Sequence, residues 1–138
     1  GNLLYDSVQV VRERMPESAV YEERLPRWLE ASDAYSVALQ LEPQNVSVRA
    51  DMAVSMCYYG AGTGETQYVT RGLYQAQQAV EQDDQNARAL FNLGVCLVST
   101  EPPQPQAAIA QWQKVLELPA AEVGITMQAR ELIQQYQQ

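Results

Sequence analysis

Residues 80–97, VEQDDQNARALFNLGVCL, decide how this chain is read, because residues 39–56, LQLEPQNVSVRADMAVSM, answer them position by position. Gln44-Asn45 corresponds to Gln85-Asn86, Met52-Ala53 to Leu93-Gly94 and Met56 to Leu97, always 41 residues apart. Ala31, Ala38 and Leu39 recur at the same offset as Gly72, Ala79 and Val80, and these recur 36 residues later as Ala108, Val115 and Leu116. Self-similarity at a step of that size is the signature of a stacked array, in which each unit covers its apolar face with the next.

The apolar residues of each unit have helical spacing, and no segment alternates with period two over a strand's length. The chain is therefore expected to be all-α, with about seven helices joined by short turns. Leu4, Val8, Val11 and Met15 form a stripe that Pro16 terminates, which predicts a first helix over residues 3–15. Pro26 suits the first position of a second helix, which carries Trp28, Ala31, Tyr35, Ala38 and Leu39 to a stop at Glu42-Pro43. Asn45 or Ser47 is the expected cap of a third, with Val48, Met52, Met56 and Tyr59 on its buried side and an end at Gly60. A fourth holds Leu73, Ala76, Ala79 and Val80, and a fifth Leu90, Leu93, Gly94 and Leu97. Pro102, Pro103 and Pro105 precede a sixth with Ile109, Trp112 and Val115, and a last helix presents Ile125, Ala129, Leu132, Ile133 and Tyr136.

These residues resemble the tetratricopeptide repeat, a unit of two helices about 34 residues long. Leu90, Leu93-Gly94 and Leu97 fit the pattern of the family's first helix, and ASDAYSVALQLEP, residues 31–43, fits that of its second. The small residues have a physical role, since paired helices approach closely only where side chains are no larger than Ala or Gly. The resemblance covers residues 26–119 of a single domain spanning 1–138, with residues 1–25 as an irregular first unit and 120–138 as a capping helix. It implies a right-handed α-solenoid of antiparallel helix pairs. It also implies a non-enzymatic module whose first helices line a concave groove for a peptide or helix of a partner protein. Carried over position by position, the groove consists of Ser47, Ala50, Asp51, Val54 and Tyr58 from one unit and Arg88, Phe91, Asn92, Val95 and Ser99 from the next. Phe91 would be an apolar anchor between Arg88 and Asn92. The two-carboxylate clamp of chaperone-tail binders is not expected, because no lysine falls on a first helix.

A second resemblance, carried by AIAQWQKVLEL at 108–118 and by Tyr58-Tyr59 before a lengthened turn, is to the bacterial tetratricopeptide subunits that escort apocytochromes during cytochrome c maturation. It implies an assembly factor gripping a client's carboxyl-terminal segment. A rival expectation is a self-assembling scaffold, in which an incomplete first unit stacks on another copy.

The 41-residue offset exceeds the family's step by seven, and the excess falls in GAGTGETQ, residues 60–67. This stretch fails as a phosphate-binding loop: Tyr59 stands where the first glycine belongs, Glu65 where the lysine belongs, and a helix rather than a strand precedes it. The expectation is a flexible glycine turn. The chain has no histidine, which removes zinc-ligand spacings and His-based triads, and no cofactor or metal is expected. Cys57 and Cys96, apart in sequence, read as buried core thiols. A formal charge of -8 with a single lysine, Lys114, argues against nucleic acid and against direct contact with anionic lipid. No apolar run is long enough to span a bilayer. Gly1 in place of an initiator methionine suggests an excised or processed segment from which a signal or anchor could have been removed, so the compartment stays open and an extracytoplasmic or membrane-anchored origin is admitted.

Overall fold

A computed structural model of the protein describes residues 19–137. Over them the chain forms six helices and no strand: α1 (Ala19–Leu41), α2 (Val46–Thr63), α3 (Thr66–Gln82), α4 (Ala87–Val98), α5 (Pro105–Glu117) and α6 (Val123–Tyr136). The helix predicted over 3–15 lies outside the described residues. Among those described, no helix is long and apolar enough to cross a membrane.

The repeat is visible first in how helices start. Asn45 Oδ1 accepts the Val48 N–H at 3.1 Å, and Asn86 Oδ1 accepts the Ala89 N–H at 3.0 Å. Each cap satisfies one of the donors that a helix start leaves unpaired, a contribution of about 1 kcal/mol. Asn45 is thus the cap, and Ser47 lies inside the first turn of α2. Pro105 opens α5, where its missing N–H costs nothing.

Contacts fix the directions of the helices. The Trp28 ring packs tilted on Tyr58, and Ala31, Tyr35 and Leu39 share one cluster with Met56, Met52 and Val48; with only four residues joining them, α1 and α2 run antiparallel. Arg49 donates to Gln82 and Gln75, and Gly60 lies against Val69, so α2 and α3 do the same. Between α2 and α4, however, Asn86 meets Ser47, Arg88 meets Asp51, and Cys96 meets Cys57. Those two helices run parallel, and α3 is the return leg. α4 is in turn antiparallel to α5, because the Gln104 N–H at the start of α5 donates to the Leu97 carbonyl near the end of α4, while Trp112 further along meets Gly94 and the Phe91 carbonyl.

The small residues stand where backbones approach. A Cβ on Gly72 would lie 2.6 Å from Cys57 Sγ and 2.7 Å from the Ala53 carbonyl, and one on Gly94 would overlap the Trp112 indole. α2 does not bury only the stripe expected of it. From Ala50 to Tyr58 every residue is buried, because α1, α3 and α4 pack on three of its sides. An apolar pattern that continues round a helix belongs to a central element, not to an amphipathic one.

Three expectations need correction. Pro26 does not begin a helix, since α1 already starts at Ala19. Proline favours a first turn without requiring one: inside a helix it removes one ladder bond and its ring crowds the carbonyl four residues back, and α1 nonetheless runs on through it. The glycine stretch is not a flexible turn: α2 continues through Gly60 to Thr63, and α3 starts at Thr66. The extra residues lengthen both helices, and Gly64, at φ 77°, is the only described residue with positive φ. Gly60 serves close packing, since a Cβ there would sit 2.7 Å from Val69 Cγ2. Tyr59 packs edge-on against Tyr68 at 4.9 Å, which holds the two helix ends together, and within α2 the Thr63 hydroxyl donates to the Tyr59 carbonyl at 2.8 Å. Partial burial first, and then the hydrogen-bonded Glu65 carboxylate, raise the Tyr59 phenol above its ordinary value.

The third correction concerns the cysteines, which are not thiols. Cys57 and Cys96 form a disulfide with Cα atoms 5.4 Å apart, and both residues are fully buried. Parallel neighbours bring them together, a relation that distance along the chain conceals.

Candidate functional site

The ends of α4 and α6 meet the same two cavities. One cleft, of about 630 Å³, takes Phe91, Val95 and Val98 from α4, Ser99 from its C-cap, and Gln128, Glu131, Leu132, Gln135 and Tyr136 from α6. A smaller one, of about 370 Å³, takes Asn86, Ala87 and Arg88 together with Ala121, Glu122 and Ile125. Because the early residues of both helices share one cavity and the late residues share the other, α6 runs parallel to α4. Residues 87, 91, 95 and 98 of α4 follow helical spacing, so the two cavities lie along one face of the helix, and that face is termed the trough. Its length follows from the helix: the 12 residues of α4 rise by about 18 Å.

The floor of the larger cleft is aromatic. Tyr58 from α2 closes one side, held against Trp28 with ring centroids 4.7 Å apart. Trp112 from α5 lies beneath, fully buried, and donates its indole N–H to the Phe91 carbonyl at 3.1 Å. Tyr136 leans on the Trp112 ring at 5.7 Å. The rim is polar and acidic, with Glu101 and Glu131, and among the described residues no basic one lines this cleft. Asp83 and Glu122 line the smaller cavity, where Arg88 is the one cation among the described residues.

Arg88 is committed to α2. Its Nη1 donates to Asp51 Oδ2 at 3.1 Å, while Asn92 Nδ2 donates to the Ala50 carbonyl at 3.0 Å and approaches Asp51 Oδ1 at 3.4 Å. Asp51 is 4% exposed, and a carboxylate at that depth requires charge-bearing and hydrogen-bonding partners. The trio therefore fixes the register of α4 on α2, immediately above the disulfide.

Of the expected groove residues, Tyr58, Phe91, Val95 and Ser99 line the larger cleft, and Ser47 and Arg88 the smaller. Asp51 and Asn92 sit between α2 and α4 as a polar ligature, while Ala50 and Val54 are wholly buried. Phe91 remains half-buried, with its ring over the cleft and against the core. The whole α6 wall escapes the sequence reading, which gives that helix only a capping role. A signal exists: the 36-residue step that links Gly72 to Ala108 also carries Leu93 and Leu97 onto Ala129 and Ile133, and all four are buried.

Comparison of the chain with family models, with curated proteins and with solved structures returned no match.

Proposed function

We propose that this chain is a non-catalytic protein-interaction module of the tetratricopeptide type, a right-handed α-solenoid that holds a peptide or helix of a partner along the face shared by α2, α4 and α6. The observation that carries the reading is the trough itself, open at the surface, with the half-buried Phe91, Leu132 and Tyr136 available to an apolar side chain and polar groups on the rim. The alternation of parallel first helices with antiparallel return helices supports the repeat architecture. Without a histidine, and with both cysteines in one disulfide, neither imidazole nor thiolate chemistry is open to the site. The buried disulfide favours an oxidising compartment for the module. An apocytochrome carboxyl-terminal segment is the client that the second sequence resemblance supplies, and pull-down with such peptides tests that assignment.

The general reading is tested without assuming a client. Peptides selected from a random library against the intact protein are expected to lose binding to the variant Gln128→Trp with Gln135→Trp, whose indoles fill the cleft mouth. They should bind Tyr74→Ala, on the outer face of α3, as well as the parent. Equal binding to both variants would place the site elsewhere.

Self-assembly is favoured by two exposed apolar pairs at helical spacing on α1 and α6. These are Val37 and Leu41 on α1, 59% and 80% exposed, and Val123 and Met127 on α6, 73% and 53% exposed. Light scattering across protein concentrations tests it, and a persistent monomer excludes it.

A further inference from the structure

We propose that the segment seated in the trough is cationic as well as apolar, its Lys or Arg side chains reaching Glu101 and Glu131 at one end and Asp83 and Glu122 at the other. The inference rests on the trough being the binding face and adds the chemistry of its occupant. Charge carries it. Among the described residues no basic side chain lines the larger cleft, and the one cation of the smaller, Arg88, is spent on the nearly buried Asp51. The four rim carboxylates are exposed and stand on a chain of net charge -8. An acidic segment would meet these carboxylates with nothing to offset the repulsion. A neutral apolar segment would cover Phe91, Leu132 and Tyr136 while drawing water from the carboxylates around them, a cost that an opposite charge removes. A second copy of this chain, equally acidic, is a poor occupant by the same argument.

The spacing is also usable. Glu122 and Glu131 lie at the start of and within one helix and are separated along it by about 13 Å, so basic residues about seven or eight positions apart, which share one face of a helical partner, would reach both with their long side chains. The expected recognition therefore has an apolar stripe on the floor and charges at both ends. Such rim pairs govern selectivity and association rate more than they govern tightness.

The probe is a fluorescein-labelled peptide of leucine and lysine, about 12 residues long to match a helix the length of α4, with leucines at helical spacing. Its counterpart carries glutamate at every lysine. Anisotropy titrations of the full chain should show binding of the lysine peptide, weakening at least about tenfold between about 50 and about 300 mM NaCl, and none of the glutamate peptide. Glu101→Gln with Glu131→Gln should weaken the lysine peptide about fivefold or more. Glu30→Gln with Asp33→Asn, exposed on α1, removes the same net charge away from the trough and should leave affinity within about twofold. If both peptides bind alike, or both charge pairs act alike, the cationic assignment falls while the trough remains the site. If neither peptide binds while the library-selected peptides still require an open cleft, the assignment falls in the same way. If those also bind the cleft-filled variant, the trough reading falls with it. Binding that appears only as a dimer dissociates would make a second copy the occupant and overturn the proposal.

Discussion

Replacing Gly94 with alanine is expected to destabilise the protein, although the same change in an exposed helix stabilises it. In an open helix the added methyl is worth about 1 kcal/mol, because glycine loses more backbone freedom on folding. At Gly94 that methyl would stand 2.6 Å from Trp112 Cε2 and 2.8 Å from Cδ1, and closer still to Nε1. Carbon atoms prefer about 3.5–4.0 Å, so the indole must withdraw by about 1 Å from a site where it has no exposed surface. Overpacking of this kind costs about 1–3 kcal/mol. The withdrawal also breaks the indole N–H bond to the Phe91 carbonyl, leaving a buried donor at a cost of about 1–3 kcal/mol. Less the helix gain of about 1 kcal/mol, the net loss is about 1–5 kcal/mol, centred on about 3. For a urea m-value near about 1.5 kcal/mol/M this lowers the unfolding midpoint by about 2 M. Gly124 is the internal control: it lies in the first turn of α6 with nothing within 4 Å of an added methyl, and Gly124→Ala should raise stability by up to about 1 kcal/mol. If Gly94→Ala matched or exceeded the parent, the indole would not be seated where the cleft floor requires it.

Three further perturbations separate the other forces. The disulfide closes a loop with a sequence separation of 39, which by chain entropy is worth about 4 kcal/mol, so Cys57→Ala with Cys96→Ala should lower stability by about that much and abolish sensitivity to reductant. Thiol titration of the denatured, unreduced chain should find none, and a titre of two per chain would refute the bridge. Arg88→Ala should cost about 1–2 kcal/mol, discounted because its side chain is 43% exposed, and Asp51→Asn on that background should recover part of the loss in a double-mutant cycle. Tyr59 should ionise above the ordinary phenol value, and Glu65→Gln should bring it down. The preference for the protonated phenol stabilises the fold below the unfolded-state value of about 10 and is lost as pH rises through the higher folded value, as absorbance titration alongside unfolding will show.

Legibility in the sequence follows the range of the interaction responsible. The caps at Asn45 and Asn86 are local hydrogen bonds, and their 41-residue correspondence is readable from composition and spacing alone. So are Gly72 and Gly94, because a small residue at a helix crossing leaves the same mark in every unit. The glycine stretch misleads because glycine suits both a turn and a close approach. Tertiary contacts from Tyr68 and Val69 decide between them. The disulfide stays hidden for a similar reason. Cys57 and Cys96 are 39 residues apart against an offset of 41, so the bridge joins places that do not strictly correspond, and only the parallel packing of α2 and α4 makes them neighbours. At the site, the α4 contribution comes through the repeat pattern, whereas α6 is missed because its apolar face serves equally well for a cap.

The most direct test of the binding face is an NMR map of where the leucine-lysine peptide perturbs the protein. Shifts should concentrate on Phe91, Val95, Ser99, Leu132 and Tyr136, extend towards Arg88 and Glu122 as the peptide spans the trough, and spare Tyr74 and Gln113 on the return helices. Shifts centred on the outer surfaces of α3 and α5, or spread evenly over the acidic surface, would contradict the account.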